Sequence, residues 1–296
     1  VFRPKSLNTE MSDQKVPIIY LLGAGRSGTT LLATALNCHP KVHSLGEMHQ
    51  FWDHLAEGKP CSCGAPLTSC IFWSDIIEGL SMDTEDLQRA YAISAKLESH
   101  LRIPAYLFRT RRHRGYDELQ AQVFAQACTK TTGAHLLDSS KFIARYLQLR
   151  RNGKLRLKGI YMVRDIRGVI HSFGKQVQTP KGPYATLLYH TLINFFGQLV
   201  YWTDKRVIKI RYEDLVSKPE ATLSEIAEHV FGNAGTFDIL PDSFPVPHII
   251  GGNRMKAQQA VRIKSDDAWK EKLSRPRQVL YYILALPYMA LNRYKI

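Results

Sequence analysis

No uncharged apolar run in this chain is long enough to cross a bilayer. The longest, Val279 to Leu291, is broken by Pro287 and falls short of the roughly 20 residues that a membrane helix needs. No signal-peptide pattern opens the chain, and residues 1–15 read as a polar, mobile lead-in. Internal repeats and low-complexity linkers are also missing, so residues 16–296 are expected to form one domain. Acidic residues are scarce: 26 against 40 Lys and Arg, a formal charge of +14. That balance favours anionic partners, whether nucleic acid, acidic lipid, polyanionic sugar or a phosphate-bearing cofactor, without choosing among them. Long single-sign blocks are absent. The densest cluster, Arg109-Thr-Arg-Arg-His-Arg114, reads as a solvated basic loop, with recruitment of an acidic substrate as the alternative.

Cysteine is sparse as well, with five in 296 residues. Cys38 and Cys128 fall on apolar helical stretches and read as small buried hydrophobes. The other three lie in Cys61-Ser-Cys63-Gly-Ala-Pro-Leu-Thr-Ser-Cys70, a compact knot containing Gly and Pro. Three thiols are one ligand short of a zinc site, and His49 or His54 is the candidate fourth. Free thiols, a local disulfide and a metal site all remain open, and a reducing cytosol would keep the disulfide reduced.

What is present alternates. Val16–Leu22 reads as a buried strand closed by Gly23, and Thr29–Leu36 as a helix with Pro40 just past its end. Helices follow near Glu85–Leu101 and Glu118–Lys130. Ala134–Leu137 reads as a strand, and Asp138-Ser-Ser140 as the N-cap of a helix over Phe142–Arg151. Then come strand Leu157–Val163, helix Arg167–Lys175, helix Tyr184–Trp202 and strand Val207–Ile210. Ser217-Lys-Pro-Glu220 has the form of a capping box before the apolar stripe Leu223, Ile226, Ala227, Val230 and Phe231. Strand–helix alternation of this kind predicts an α/β fold in three layers, a P-loop-like parallel sheet with helices on both faces. Residues 52–116 are the least regular and read as an insertion on the substrate side.

Between the first strand and its helix stands Gly23-Ala-Gly-Arg-Ser-Gly-Thr-Thr30. Ligands of open parallel sheets bind beyond the carboxyl ends of the strands. Glycines there let backbone N–H groups converge, and the helix N-terminus adds partial positive charge, so the loop favours an anion. Arg26 and the hydroxyls of Ser27, Thr29 and Thr30 add donors. The loop nearly matches G-x-x-x-x-G-K-[ST], but Thr29 stands where the lysine belongs. A nucleotide triphosphatase needs that lysine and a metal to neutralise the β- and γ-phosphates. A sulfuryl group carries less charge and can be transferred without magnesium.

Arg26-Ser-Gly-Thr-Thr-Leu-Leu32 resembles the 5′-phosphosulfate loop of sulfotransferases that use 3′-phosphoadenosine-5′-phosphosulfate (PAPS). Tyr161-Met-Val-Arg164 through His171-Ser172 resembles the 3′-phosphate segment of the same family, an arginine closing a strand and a serine eight positions on. Ile210-Arg-Tyr212-Glu-Asp-Leu-Val-Ser-Lys-Pro219 and His248-Ile-Ile-Gly-Gly-Asn253 are similar to further family stretches, the whole covering about half the chain. The resemblance implies PAPS as co-substrate, adenosine 3′,5′-bisphosphate as product and no metal in the transfer. It assigns the loop, Gly28 included, to the 5′ end, Arg164 and Ser172 to the 3′-phosphate, and Tyr212 to adenine or ribose, with a core role as the alternative. Lys141, a cation where a helix start would oppose it, matches the lysine that stabilises the departing phosphate. Glu47 matches the base of tyrosylprotein-type and bacterial members, and His43 and His49 are its rivals. Arg254 or Lys256, in Asn253-Arg-Met-Lys256, takes the position of a cation over the nucleotide phosphates.

Two other readings remain. A P-loop kinase or hydrolase would use Leu136-Leu137-Asp138 as a metal-holding strand end, and a non-catalytic binder of polyanions or membrane surfaces would use the +14 charge alone. The expected acceptor is a small molecule, sugar, lipid or peptide, with an acidic one suited to the basic surface. It is shaped by residues 48–116 and Gln176–Tyr189. No nucleic-acid partner is expected, and a cytoplasmic location is.

Overall fold

The computed structural model describes residues 14–107, 112–175, 180–232, 244–252 and 260–296. Strand β1 (Val16–Gly23) leads to α1 (Thr29–Leu36), β2 (Val42–Gly46), α2 (Phe51–Glu57), α3 (Ser74–Leu80), α4 (Thr84–Leu97), α5 (Ile103–Leu107) and α6 (Arg114–Lys130). Next are β3 (His135–Lys141), α7 (Ile143–Leu149), β4 (Leu155–Val163), α8 (Ile166–Gly174) and α9 (Pro183–Thr203). Strand β5 (Val207–Arg211), α10 (Tyr212–Ser217) and α11 (Pro219–Phe231) follow. A two-residue antiparallel pair, β6 (Phe244–Pro245) and β7 (Ala260–Val261), precedes α12 (Trp269–Lys272), α13 (Arg275–Leu284) and α14 (Leu286–Leu291).

The main sheet has five parallel strands in the order β2-β3-β1-β4-β5. Alternation along β1 divides the interior between its faces. Ile18, Tyr20 and Leu22 enter one core with Phe124 of α6, Tyr146 of α7 and Ile193 of α9. Ile19 and Leu21 enter the other with Leu32 of α1 and Leu223 and Ile226 of α11. Because both faces are covered, the strand is apolar throughout rather than every second residue. The expected α/β layering is therefore present. A third cluster joins Val169 and Phe173 of α8 to Tyr281 and Met289 near the C-terminus. Residues 52–116 supply Trp52, Trp73, Ile76, Leu97 and Ile103 to the first core. Among the described residues no helix is long and apolar enough to cross a membrane.

Two local expectations are corrected. Asp138-Ser-Ser140 does not cap a helix. Strand β3 continues through it to Lys141, pairing Tyr20 with Asp138 and Leu22 with Lys141. Helix α7 starts at Ile143 behind Phe142, with no side-chain cap. Asp138 is unavailable as a cap because the guanidinium of Arg145 holds it (Nε to Oδ2, 2.9 Å). Nor does Ser217-Lys-Pro-Glu220 form a capping box. Lys218 is the N-cap residue of α11 without a side-chain bond, and Pro219 opens the helix.

Candidate active site

Sheet order determines which residues meet. At the carboxyl edge, in spatial sequence, β2 is followed by Glu47, β3 ends at Lys141, β1 runs into the Gly23–Thr30 loop, β4 is followed by Arg164 and β5 by Tyr212. Four strand spacings separate the outer members, about 19 Å.

The first strand-to-helix turn is shaped by its own residues. Gly23 (φ 139°) packs so closely on β4 that a Cβ would lie 2.4 Å from the Met162 carbonyl oxygen. Gly28 (φ 90°) is the N-cap residue of α1, and a Cβ there would lie 2.4 Å from the Tyr212 ring. No side chain caps α1, so its first-turn amides are suited to an anion. Ser27 is buried, and its Oγ lacks a hydrogen-bond partner among the described residues. Thr29 is buried and Thr30 half-buried. Arg26 adopts a left-handed conformation (φ 67°), and its Nε donates to Ser172 Oγ at 3.0 Å. The structure thus joins the loop to Ser172, 146 residues away.

Arg164 is 5% exposed, and its guanidinium carbon lies 4.1 Å from the centroid of the Tyr212 ring. Its Nη1 donates to the Arg26 carbonyl at 3.0 Å, and its Nη2 to Asp266 Oδ2 at 3.2 Å. Its acidic partner is thus Asp266, whereas Asp165 pairs with Arg167 at 2.6 Å. Tyr212 is buried; besides Arg164 and Gly28 it meets the 264–266 backbone, accepting from the Asp266 N–H at 3.1 Å and donating to the Lys264 carbonyl at 3.3 Å.

At the other end Lys141, the last residue of β3, is also left-handed (φ 70°). Its Nζ donates to Glu47 Oε1 and, at 3.3 Å, to the Ser139 carbonyl. Lys141 is therefore not the helix-start cation expected from the sequence, but the end of a strand aimed along the edge. Gln50 Nε2 donates to Glu47 Oε2 at 2.8 Å, and the Glu47 N–H donates to the Ile250 carbonyl at 2.7 Å. Both carboxylate oxygens are thus oriented. Beneath lies a buried polar cluster. Arg145 bridges Asp138 and Glu98, Tyr116 Oη donates to Glu98 Oε1 at 2.6 Å, and burial pushes the Glu98 carboxyl up to about 7.

The rival bases sit differently. His49 meets Phe142 edge-on (ring centroids 4.2 Å apart), and burial followed by the Lys141 and Arg145 cations holds its pKa well below the usual histidine value. His43 stacks on Phe72 at 4.6 Å; burial and then His248 lower its pKa. Both are weaker proton acceptors than an ordinary imidazole. Arg254 and Lys256 lie outside the described residues, as do residues 109–111 of the Arg109–Arg114 cluster. Neither His49 nor His54 joins the three cysteines: His54 Nδ1 is 3.1 Å from the Gln50 carbonyl, and the imidazole beside the thiols is that of His248. Cys128 is buried as expected, while Cys38 is half-buried just beyond α1.

Sequence reasoning missed Gln50, Asp266 and the hydroxyl of Tyr189, which accepts the Gly25 N–H at 2.9 Å. Burial raises the Tyr189 pKa, and the nearby Glu47 carboxylate adds to the effect. Tyr189 thus touches the loop and lies near enough to the carboxylate to feel its charge. Its only signal was membership of the Gln176–Tyr189 stretch, of which 176–179 are outside the described residues.

Residues 17–61 match the model of the sulfotransferase family. Among solved structures, the chain is similar to a sulfotransferase domain from the curacin biosynthetic pathway, with 20% identity and a TM-score of 0.54 over 96% of this chain and 100% of that one. It is also similar to the sulfotransferase domain of the Synechococcus PCC 7002 olefin synthase, with 21% identity and a TM-score of 0.53 over 99% and 100%. A sulfotransferase from Mycobacterium avium is similar at 12% identity and a TM-score of 0.50, over 96% and 79%. At such identities the likeness is one of fold. No curated protein matches significantly. The resemblance to sulfotransferases drawn from the loop and the Arg164–Ser172 pair thus agrees with both comparisons.

Proposed function

We propose that this chain transfers a sulfuryl group from PAPS to a hydroxyl or amine of an acceptor, releasing adenosine 3′,5′-bisphosphate. One observation carries the reading: an oriented carboxylate, a lysine, a glycine-rich anion loop and a buried arginine occupy the ends of four adjacent strands. Arg164 and Ser172 would hold the 3′-phosphate. The loop amides, Arg26 and the hydroxyls of Ser27, Thr29 and Thr30 would hold the 5′-phosphosulfate. The partnerless Ser27 Oγ and the close approaches at Gly23 and Gly28 fit a group held by backbone amides and small hydroxyls.

In the reaction the acceptor oxygen or nitrogen attacks sulfur in line with the bridging oxygen of the 5′-phosphate. The new bond to sulfur forms as the old S–O bond breaks, and the electron pair leaves on the phosphate. Glu47 takes the acceptor proton, and Lys141 and Arg26 stabilise the charge that develops on the sulfuryl and phosphate oxygens. The acceptor would approach from the β2 side, over residues 48–116.

A kinase or hydrolase reading fits less well. It would need Asp138 to hold magnesium, yet Asp138 is fully buried with both oxygens engaged, by Arg145 on one and Ser140 on the other. A purely polyanion-binding surface would not need an oriented Glu47–Lys141 pair.

The test is calorimetry with adenosine 3′,5′-bisphosphate in chelator-treated buffer, alongside turnover of PAPS. Saturable metal-free binding is expected. Glu47→Gln should keep it while losing about 10²–10⁴-fold in turnover, whereas Arg164→Ala should weaken binding first. Absence of binding by the folded wild-type protein would sink the proposal.

A further inference from the structure

We propose that Cys61, Cys63, Cys70 and His248 form a closed binding site for one zinc ion, which pins the 246–250 segment beside Glu47. This inference stands on geometry that is independent of the transfer reaction. One ligand atom from each of the four residues lies within 4.8 Å of all the others. Zinc bonds thiolate sulfur at about 2.3 Å and imidazole nitrogen at about 2.0–2.1 Å, so the edges of its tetrahedron are roughly 3.8 Å between sulfurs and 3.6 Å from sulfur to nitrogen. Cys63 Sγ and Cys70 Sγ are 3.7 Å apart. His248 Nδ1 is 3.3 Å from Cys70 Sγ and 4.0 Å from Cys61 Sγ. All three cysteines are free thiols in this arrangement.

The surrounding chain is built to hold this arrangement. Gly64, with φ 89°, folds the knot so that the Cys61 N–H donates to the Ala65 carbonyl and the Gly64 N–H to the Cys61 carbonyl, each at 2.9 Å. Pro60 and Pro66 close it with an antiparallel bridge. This turn lets a C-x-C pair serve where zinc sites more often use a longer spacing. The fourth ligand arrives from 178 residues beyond Cys70 and is held on both sides. Ser62 Oγ donates to the Pro247 carbonyl at 2.6 Å and accepts from the Ile249 N–H at 3.0 Å. The indole of Trp73 donates to the His248 carbonyl at 3.2 Å. Backbone partners of this kind orient metal ligands.

Three thiolates and an imidazole suit zinc and disfavour magnesium or calcium, which take oxygen ligands. Four protein ligands fill a tetrahedron and leave no position for water, so the role is structural. Binding by three thiols and a neutral imidazole releases three protons and leaves a centre of charge −1. Two residues past His248, Ile250 bonds to β2: its N–H donates to Leu45 and its carbonyl accepts from Glu47. The metal would therefore fasten the backbone that carries the carboxylate.

The test is metal analysis of the full-length chain, purified in reducing buffer free of chelator. About one zinc per chain is expected, with an X-ray absorption shell of three sulfurs and one nitrogen. Cobalt exchanged into the site should show thiolate charge-transfer bands. Cys70→Ser and His248→Asn should lower zinc content at least about tenfold, while Cys38→Ser and Cys128→Ser keep it. If the ligand variants do not fold, the wild-type zinc content and absorption shell decide alone. A zinc content under about one tenth per chain, with no uptake of added zinc or cobalt, would overturn the proposal. So would a Cys63–Cys70 disulfide in protein alkylated at purification, or loss of zinc from the Cys38 or Cys128 variants.

Discussion

Two turns at the same edge of the sheet each place a left-handed cation beside the candidate reaction centre, and they are built in opposite ways. The β1–α1 turn carries Arg26 and takes its shape from its own glycines. The β3–α7 turn carries Lys141 and contains no glycine. Its shape is imposed from below, by Arg145 reaching Asp138 and Glu98 and by Tyr20, whose hydroxyl donates to the Phe142 carbonyl at 2.7 Å. One turn is encoded by its own glycines and the other by a buried cluster that draws on Glu98 and Tyr20, far away in the chain. The two should therefore fail under different substitutions.

The largest difference is expected on removing the buried guanidinium. Arg145→Met leaves Asp138 and Glu98 without their cation, and urea unfolding should register a loss of about 3–5 kcal/mol. A loss under 1 kcal/mol would mean that the cluster does not enforce the second turn. In the first turn, Gly28→Ala adds a Cβ against Tyr212 at a left-handed position and should cost about 1–3 kcal/mol. It should also weaken adenosine 3′,5′-bisphosphate in calorimetry; unchanged stability and binding would break the local account.

Acid should strike the second turn in particular, because His49 and His100 both lie edge-on to Phe142, at 4.2 and 4.3 Å. Burial lowers His100 from 6.5 to about 4. Between those values the unfolded chain binds a proton that the folded chain refuses, so stability falls as pH drops from 6.5 toward 4. His100→Phe should flatten that slope by roughly 1–2 kcal/mol after allowance for solvent screening. A parallel slope in the variant would count against the assignment.

The smallest effect sharpens the likeness between the turns. Lys141→Gly should be more stable than Lys141→Ala by about 1 kcal/mol, and Arg26→Gly should exceed Arg26→Ala by a similar margin. The difference reports backbone conformation, because each pair lacks the same cation. Equal stabilities would place the strain elsewhere.

The same contrast explains what could be read from the sequence. The first turn was legible because its glycines, arginine and hydroxyls are contiguous, and Ser172 was reached through the family resemblance of its segment, eight positions past Arg164. The end of β3 was misread because Asp138-Ser-Ser140 is a sound local cap, and only Arg145 and the pairing of Lys141 with Leu22 overrule it. His248 could not be matched to the cysteines because nothing local relates them; His49 and His54 were merely nearer in the chain. Glu47 was legible as a position but not through its partners, since Lys141 lies 94 residues away.

The bond from Arg164 to the Arg26 carbonyl has a consequence for selectivity. The same guanidinium that would clasp one end of a nucleotide also braces the loop that would clasp the other, so the two grips are mechanically linked. On the proposed reading, adenosine 5′-phosphosulfate would forfeit more than the contacts of its missing phosphate, because the guanidinium that braces the loop would be left without the anion that fixes it. The site would then discriminate between donors as a whole, by whether both ends are engaged together.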